Sequence, residues 1–85
     1  MEVAPGVYQV PGVRGANIFL LASGDGLTLV DSGLPGDARA ILRFIQALGH
    51  DTAELRRIIL THGHPDHTGS AKALRDATGA EVLIH

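Results

Sequence analysis

The sequence contains no cysteine and no tryptophan, and aromatic residues make up only 4% of its 85 positions. Without cysteine there is no disulfide framework and no thiol chemistry, and a zinc site of the finger type is excluded. The chain has 7 basic residues against 9 acidic ones, with no basic run. This balance disfavours a nucleic-acid-binding surface.

Long apolar runs are also missing. No stretch approaches the ~20 residues that a membrane-spanning helix needs. The first residues, Met1 to Pro5, lack the charged region and the apolar core of a signal peptide. We therefore expect a single small domain over residues 1–85, located in the cytoplasm, with no membrane partner.

The first third of the chain has the pattern of an antiparallel meander. Three strands are predicted, at Val3–Val10, Ala16–Leu21 and Leu27–Asp31. Pro5-Gly6 interrupts the first of them, which is typical of an edge strand. The turn Ser23–Gly26 lies between two apolar runs and predicts a hairpin.

Helical periodicity begins after this meander. Asp37 is a candidate N-cap, and Gly49 ends the pattern at the position where helices commonly stop. Between them the apolar residues recur at the i, i+3, i+4 and i+7 spacing of an amphipathic helix: Ile41, Phe44, Ile45 and Leu48.

A strand–helix–strand unit completes the chain. Strands are predicted at Ile58–Leu60 and Val82–Ile84, on either side of a helix over Gly69–Ala77. This order implies parallel strands joined by right-handed crossovers. The fold class is therefore α/β, a mixed sheet with both helices on one face, which leaves the other face of the sheet uncovered. The inward residues of the second helix are expected to be Ala71, Leu74 and Ala77.

Four residues with metal-binding side chains stand between the strand and the helix of this unit. They are His62, His64, Asp66 and His67. Imidazole and carboxylate groups are common ligands of zinc and similar ions. His62 and His64 are two apart and project to one side of an extended chain, whereas Asp66 and His67 follow Pro65 and point elsewhere. This arrangement favours two adjacent metal ions. An HExxH site is excluded because it needs two histidines four apart on a helix.

The alternative to a metal site is a set of ordinary loop residues. Asp66 or Thr68 could cap the helix, and a single histidine is usually a surface or core residue. Four such residues in six positions are harder to explain in this way. His50 lies beside an acid with nothing else near it and is expected to face solvent, and His85 has no evident metal role.

The run His62-x-His64-x-Asp66-His67 resembles the metal motif of the metallo-β-lactamase superfamily. A second stretch, Leu29-Val30-Asp31-Ser32-Gly33, resembles the strand of that family that ends in Asp-x-Gly. The resemblance implies that His62 and His64 bind one metal ion and that Asp66 and His67 bind a second. It also implies that Asp31 supports the metal loop without binding metal. From the residues alone, Asp31 fits a turn-forming role equally well.

The resemblance covers the chain in the order of its elements and implies a specific architecture. The chain resembles the N-terminal αβ half of a four-layer αβ/βα sandwich, in which the remaining metal ligands come from the other half. On this reading residues 1–85 form an incomplete domain. Either the missing C-terminal half or a second copy of the chain would cover the open face of the sheet.

The function implied by the resemblance is metal-dependent hydrolysis of a small molecule. A metal-bound hydroxide would attack the carbonyl of an ester, thioester, lactone or lactam, with Asp66 holding the second metal and orienting the nucleophile. Two zinc ions are expected in the intact domain, with iron or manganese as alternatives.

Two other functions stay open at this point. One is a phosphodiesterase or nuclease of the same superfamily, and the other is a non-catalytic metal-binding half-domain that self-associates. A redox branch of the family, the flavo-diiron proteins, typically has Glu where this chain has His64, so His64 favours hydrolysis.

Overall fold

The computed structural model describes residues 2–12, 18–31, 36–60 and 68–84. These contain six strands, two α-helices and a short 3-10 helix at Thr52–Glu54. The strands are β1 (Glu2–Ala4), β2 (Val7–Gln9), β3 (Phe19–Ser23), β4 (Gly26–Val30), β5 (Leu55–Leu60) and β6 (Glu81–Ile84). The helices are α1 (Ala38–Ala47) and α2 (Thr68–Thr78).

All six strands form one mixed sheet in the order β1-β2-β3-β4-β5-β6. The pairs from β1 to β4 are antiparallel. The pairs β4–β5 and β5–β6 are parallel, and each is joined by a helix. The predicted α/β class, with a meander followed by parallel crossovers, is therefore confirmed.

The N-terminal segment differs from its prediction. The expected single strand Val3–Val10 is a hairpin of β1 and β2, because Pro5-Gly6 forms the turn. Gly6 has φ +75, which a residue with a side chain rarely adopts, and its N–H donates to Glu2 Oε2 at 3.1 Å. The meander accordingly has four strands, where the sequence predicted three.

Strand boundaries also shift by a few residues. The strand predicted at Ala16–Leu21 is observed as Phe19–Ser23, and the strand predicted at Leu27–Asp31 ends at Val30. β5 begins at Leu55, three residues earlier than predicted, and includes two arginines. The short 3-10 helix before it has a capping box, in which the Asp51 carboxylate accepts from the N–H of Ala53.

The two helices follow their predicted apolar stripes with one exception, and the predicted N-cap of α1 also differs. In α1, Ile41 and Ile45 are fully buried, and Gly49 ends the helix with φ +88. Asp37 occupies the N-cap position, but its side chain makes no capping hydrogen bond and is instead buried. In α2, Ala71 and Leu74 are buried as predicted, but Ala77 is exposed.

One face of the sheet is covered by the helices, which contact each other across it. Directly paired residues lie on the same face, so one row can be followed across five strands. That row is Tyr8, Leu20, Leu29, Ile58 and Val82. Its three central members have no exposed surface, and the ring of Tyr8 meets Phe44 of α1 edge to face, with centroids 6.1 Å apart.

The opposite face, called here the open face, contains the alternate residues of the same strands. Its apolar patch consists of Phe19, Leu21, Val30, Ile59 and Leu83. Four of these are half-buried, and Leu83 is 40% exposed. Neither helix covers this face.

The helices of the described ranges are too short and too polar for any of them to cross a membrane.

Candidate metal centre

The parallel strands end together at one edge of the sheet, called here the carboxyl edge. Val30, the last residue of β4, pairs with Ile59 of β5, and Ile59 pairs with Leu83 of β6. In parallel α/β sheets, ligands commonly bind at this edge because the loops after the strands converge there. Asp31 follows β4 directly, and residues 61–67 follow β5 directly.

The sequence-predicted ligands all fall within that second segment. His62, His64, Asp66 and His67 lie outside the described residues, so their metal-binding roles stay predictions. The structure does define where the segment begins and ends. It leaves β5 at Leu60 and enters α2 at Thr68, so it connects a strand end to a helix start at the carboxyl edge.

Both ends of the segment are attached to the buried core. Leu60 is 3% exposed at the end of β5. On the other side, Ser70, Ala71 and Leu74 turn the inward face of α2 into the core, and α2 packs on β5 and β6. If the predicted ligands bind an ion, a short connection between two packed elements lowers the cost of ordering them around it.

Asp31 lies at the same edge in an uncommon backbone conformation. Its φ is +67, and it is the only residue other than glycine with positive φ in the described part of the chain. Its N–H donates to the carbonyl oxygen of Ile59 at 2.7 Å, which extends the β4–β5 ladder by one bond. Asp tolerates this conformation better than most residues. The backbone thus turns at Asp31 beside β5, while support of the metal loop by its carboxylate stays a prediction.

Elsewhere the described residues contain no group of three or more His, Asp or Glu side chains that could hold a metal ion. His50 was expected to face solvent with only the adjacent acid near it, but it is half-buried and a second acid approaches it. Its Nδ1 lies 3.4 Å from Glu54 Oε1, in a pair four residues apart. The pair belongs to the capping structure before β5, where Glu54 also accepts from the N–H of Asp51 at 2.6 Å. This arrangement is structural.

A second polar cluster on the open face was missed in the sequence. Arg57 donates from Nη2 to Asp25 Oδ2 at 2.9 Å and from Nη1 to Thr28 Oγ1 at 3.3 Å. The Ser23 hydroxyl, followed by Arg57, lowers the pKa of Asp25 to about 2. The alternation within β5 would have shown that Arg57 and Ile59 share a face, but not that Asp25 reaches this arginine across 32 positions.

Comparison with known proteins agrees with this architecture. The profile of the metallo-beta-lactamase superfamily matches residues 11–85. The chain belongs to the metallo-beta-lactamase superfamily. The resemblance seen in the sequence is therefore confirmed.

Relatives of two kinds illustrate the range of the superfamily. A hydroxyacylglutathione hydrolase from Anaeromyxobacter dehalogenans is 46% identical over 67 residues, which are 79% of this chain and 24% of that protein. A probable metallo-hydrolase, YflN, from Bacillus subtilis is 31% identical over 87 residues, covering 99% of this chain and 33% of that protein. The chain thus spans a third or less of these relatives.

Solved structures show the same fold. A metallo-beta-lactamase with a HARLDQ motif from Cronobacter sakazakii superposes with a TM-score of 0.84 at 36% identity, covering 96% of this chain and 32% of that one. The metallo-beta-lactamase MIM-1 from Novosphingobium pentaromativorans gives a TM-score of 0.78 at 40% identity, over 91% of this chain and 28% of that one. These neighbours have the αβ/βα sandwich fold, so the predicted fold class is confirmed.

Proposed function

We propose that this chain supplies the metal-binding αβ layer of a metal-dependent hydrolase that cleaves a small-molecule thioester. The observation that carries the proposal is the location of the His62–His67 run. In a chain of this superfamily, the run makes up all but the first residue of the connection between β5 and α2 at the carboxyl edge. Asp31 begins the neighbouring connection at the same edge.

The donor set fits a pair of divalent ions. Three imidazoles and a carboxylate suit zinc, iron or manganese, and zinc is our first choice. His62 and His64 would hold one ion, and Asp66 and His67 the other. When bound, such ions polarise the substrate oxygen and lower the pKa of water towards neutrality. Asp66 would also orient the nucleophile, and Asp31 would fix the ligand loop, as carboxylates beside metal-bound histidines commonly do.

A thioester is preferred over an oxygen ester, lactone or lactam because of the relatives. Besides the Anaeromyxobacter protein, a hydroxyacylglutathione hydrolase from Albidiferax ferrireducens is 54% identical over 49 residues of this chain. Both names describe an acyl group carried on glutathione. The metallo-beta-lactamases superpose well at lower identity, which supports a shared fold more than a shared substrate.

Catalysis would also require a second αβ layer on the open face. The four predicted ligands give each ion two protein groups, whereas catalytic zinc sites usually have three. A second layer would supply the remaining ligands and enclose the apolar patch.

A chimeric enzyme tests this function. The segment of the Anaeromyxobacter hydrolase that matches this chain would be replaced by the corresponding residues, so that the rest of that protein supplies the second layer. We expect the chimera to hydrolyse a hydroxyacyl-glutathione thioester within about tenfold of the parent enzyme, and to prefer it over a matched lactam.

Two variants of the chimera make the result specific. His62→Ala should abolish hydrolysis and metal retention, whereas the matched control His50→Ala should preserve both, because His50 pairs with Glu54 away from the run. A folded, metal-loaded chimera that leaves the thioester intact would refute the proposed substrate class.

A further inference from the structure

The buried stripe of each helix becomes polar at the end that lies nearest the carboxyl edge. In α1 the buried residues Ile41 and Ile45 are preceded, one turn earlier, by Asp37, which is 3% exposed. In α2 the buried residue Leu74 is preceded, also one turn earlier, by Ser70, which is 1% exposed. Each helix therefore begins its inward stripe with a polar side chain.

Both of these polar residues stand where a helix starts after a parallel strand. α1 follows β4 and α2 follows β5, so the first turn of each helix is at the carboxyl edge. α1 crosses from β4 to β5, α2 crosses from β5 to β6, and the helices contact each other on one face. The connection 61–67 therefore leaves β5 between the two helix starts, with Asp37 on one side of it and Ser70 on the other.

Capping of α1 does not explain the burial of Asp37. A buried carboxylate is costly unless it is hydrogen-bonded, and no buried polar side-chain atom of the described residues lacks a partner. Asp37 is the N-cap residue of α1, where a carboxylate commonly accepts from an N–H of the first turn, yet it makes no such bond. A different contact must therefore keep this carboxylate buried.

We propose that Asp37 and Ser70 are positioning residues for the metal ligands, holding the connection 61–67 from its inner side, one from each helix. The inference rests on the proposed function, because it assumes that this connection binds the metal ions. An ionised carboxylate only accepts hydrogen bonds, and the connection supplies donors in its backbone N–H groups and its three imidazole rings. The Ser70 hydroxyl can donate as well as accept.

The buried position makes such contacts effective. Hydrogen bonds inside a protein are electrostatically stronger than exposed ones, and side chains in a packed stripe are locked by their neighbours. Asp31, which the family resemblance assigns to support of the metal loop, is only half-buried. Asp37 and Ser70 would instead act from the core, on the side of the connection that faces the helices.

The zinc affinity of the chimera, measured in competition with a chelator, tests this inference. Asp37→Ala and Ser70→Ala each remove one buried polar group, and each should weaken zinc binding by about tenfold or more, as loss of contacts to metal ligands typically does. If Asp37→Ala fails to fold, Asp37→Asn preserves the size of the side chain and gives the same comparison with a smaller expected loss.

Thr78→Ala is the matched control for Ser70→Ala, because Thr78 carries a hydroxyl at the other end of α2. Its Oγ1 donates to the carbonyl oxygen of Leu74 at 2.6 Å and accepts from the N–H of Ala80 at 3.1 Å. Thr78→Ala should lower the melting temperature of the metal-free chimera and leave its zinc affinity unchanged. Equal losses of affinity in Thr78→Ala and Ser70→Ala would overturn the inference, because affinity would then follow stability alone.

The His62→Ala chimera separates failure of this inference from failure of the proposed function. If His62→Ala loses metal while Asp37→Ala and Ser70→Ala bind zinc as tightly as the unsubstituted chimera, the positioning roles are wrong and the metal centre stands. If His62→Ala itself retains metal, the proposed metal centre fails and the positioning roles fail with it.

Discussion

The two faces of the sheet are built from the same strands and yet differ in how they are completed. On the covered face, Leu20, Leu29 and Ile58 are fully buried under α1 and α2. On the open face, their neighbours Leu21, Val30 and Ile59 are only half-buried. Because side chains alternate along a strand, this difference arises within single strands and cannot reflect their overall hydrophobicity. Among the described residues, the covered face contains the fully buried core, and the open face keeps part of its apolar surface exposed.

The largest expected effect on stability is at Ile58, which can be compared directly with its neighbour Ile59 on the opposite face of β5. Ile58 has no exposed surface and lies in the central row of the covered face. We expect Ile58→Ala to lower the free energy of unfolding by about 2–5 kcal/mol, through lost burial and the cavity left behind. Chemical denaturation followed by circular dichroism measures this change.

The same substitution one residue later should cost less. Ile59 points to the open face and is half-buried, so Ile59→Ala should lower the free energy of unfolding by about 1 kcal/mol. Chemical denaturation followed by circular dichroism measures this change as well. If the two alanine variants were equally destabilised, the assignment of the two faces would be wrong.

A substitution at Asp31, on the carboxyl edge of the sheet, should have a smaller effect on stability. Asp31 has a left-handed backbone, which costs a residue with a side chain about 1 kcal/mol relative to glycine. Asp31→Gly should therefore keep the free energy of unfolding unchanged or raise it slightly. If the carboxylate supports the metal loop, the same variant should weaken metal affinity by about tenfold or more.

Titration with a chelator, run beside thermal unfolding, separates the two roles of Asp31. Metal affinity equal to that of the unsubstituted chain would show that Asp31 is only a turn residue.

The smallest effect concerns acid stability on the open face. Hydrogen bonds from the Ser23 hydroxyl and Arg57 lower the pKa of Asp25 from 3.8 to about 2. A carboxyl whose folded pKa is depressed contributes stability that is present above its unfolded pKa and lost as the pH falls through its folded pKa. The chain should therefore lose a small increment of stability between about pH 4 and pH 2.

The control for this prediction is Asp25→Asn, which should remove that part of the pH dependence. Because the Asp25–Arg57 pair is solvent-exposed, added salt should reduce the effect. An acid-unfolding curve that is identical in the variant would show that the pair contributes nothing to the fold.

Much of the fold followed from local patterns. The i, i+3, i+4 spacing identified α1 because helical periodicity fixes which residues face the core, and Ile41 and Ile45 are buried as expected. The N-terminal hairpin was missed because Pro5-Gly6 fits both a broken edge strand and a turn, and only the pairing of Ala4 with Val7 decides between them. The exposure of Ala77 was missed because alanine carries little information about which side of a helix faces inward.

The sequence likewise predicted only part of the candidate site. Candidate ligands could be proposed from residues 61–67, since metal chemistry restricts which side chains can serve, and their roles stay predictions. The left-handed conformation of Asp31 and its bond to Ile59 were not readable, because they depend on the pairing of β4 with β5. Long-range partners such as Arg57 and Asp25 were unpredictable for the same reason.

The most direct test of the central claim is the metal content, after size-exclusion chromatography, of the chimera in which the rest of the Anaeromyxobacter hydrolase supplies the second layer. Elemental analysis would compare the unsubstituted chimera with its His62→Ala, His64→Ala and control His50→Ala variants. We predict that the unsubstituted chimera and the control retain metal at equal ratios, and that both substitutions within the 61–67 segment abolish retention. Metal content unaffected by His62→Ala and His64→Ala would contradict the assignment of this segment as the metal centre.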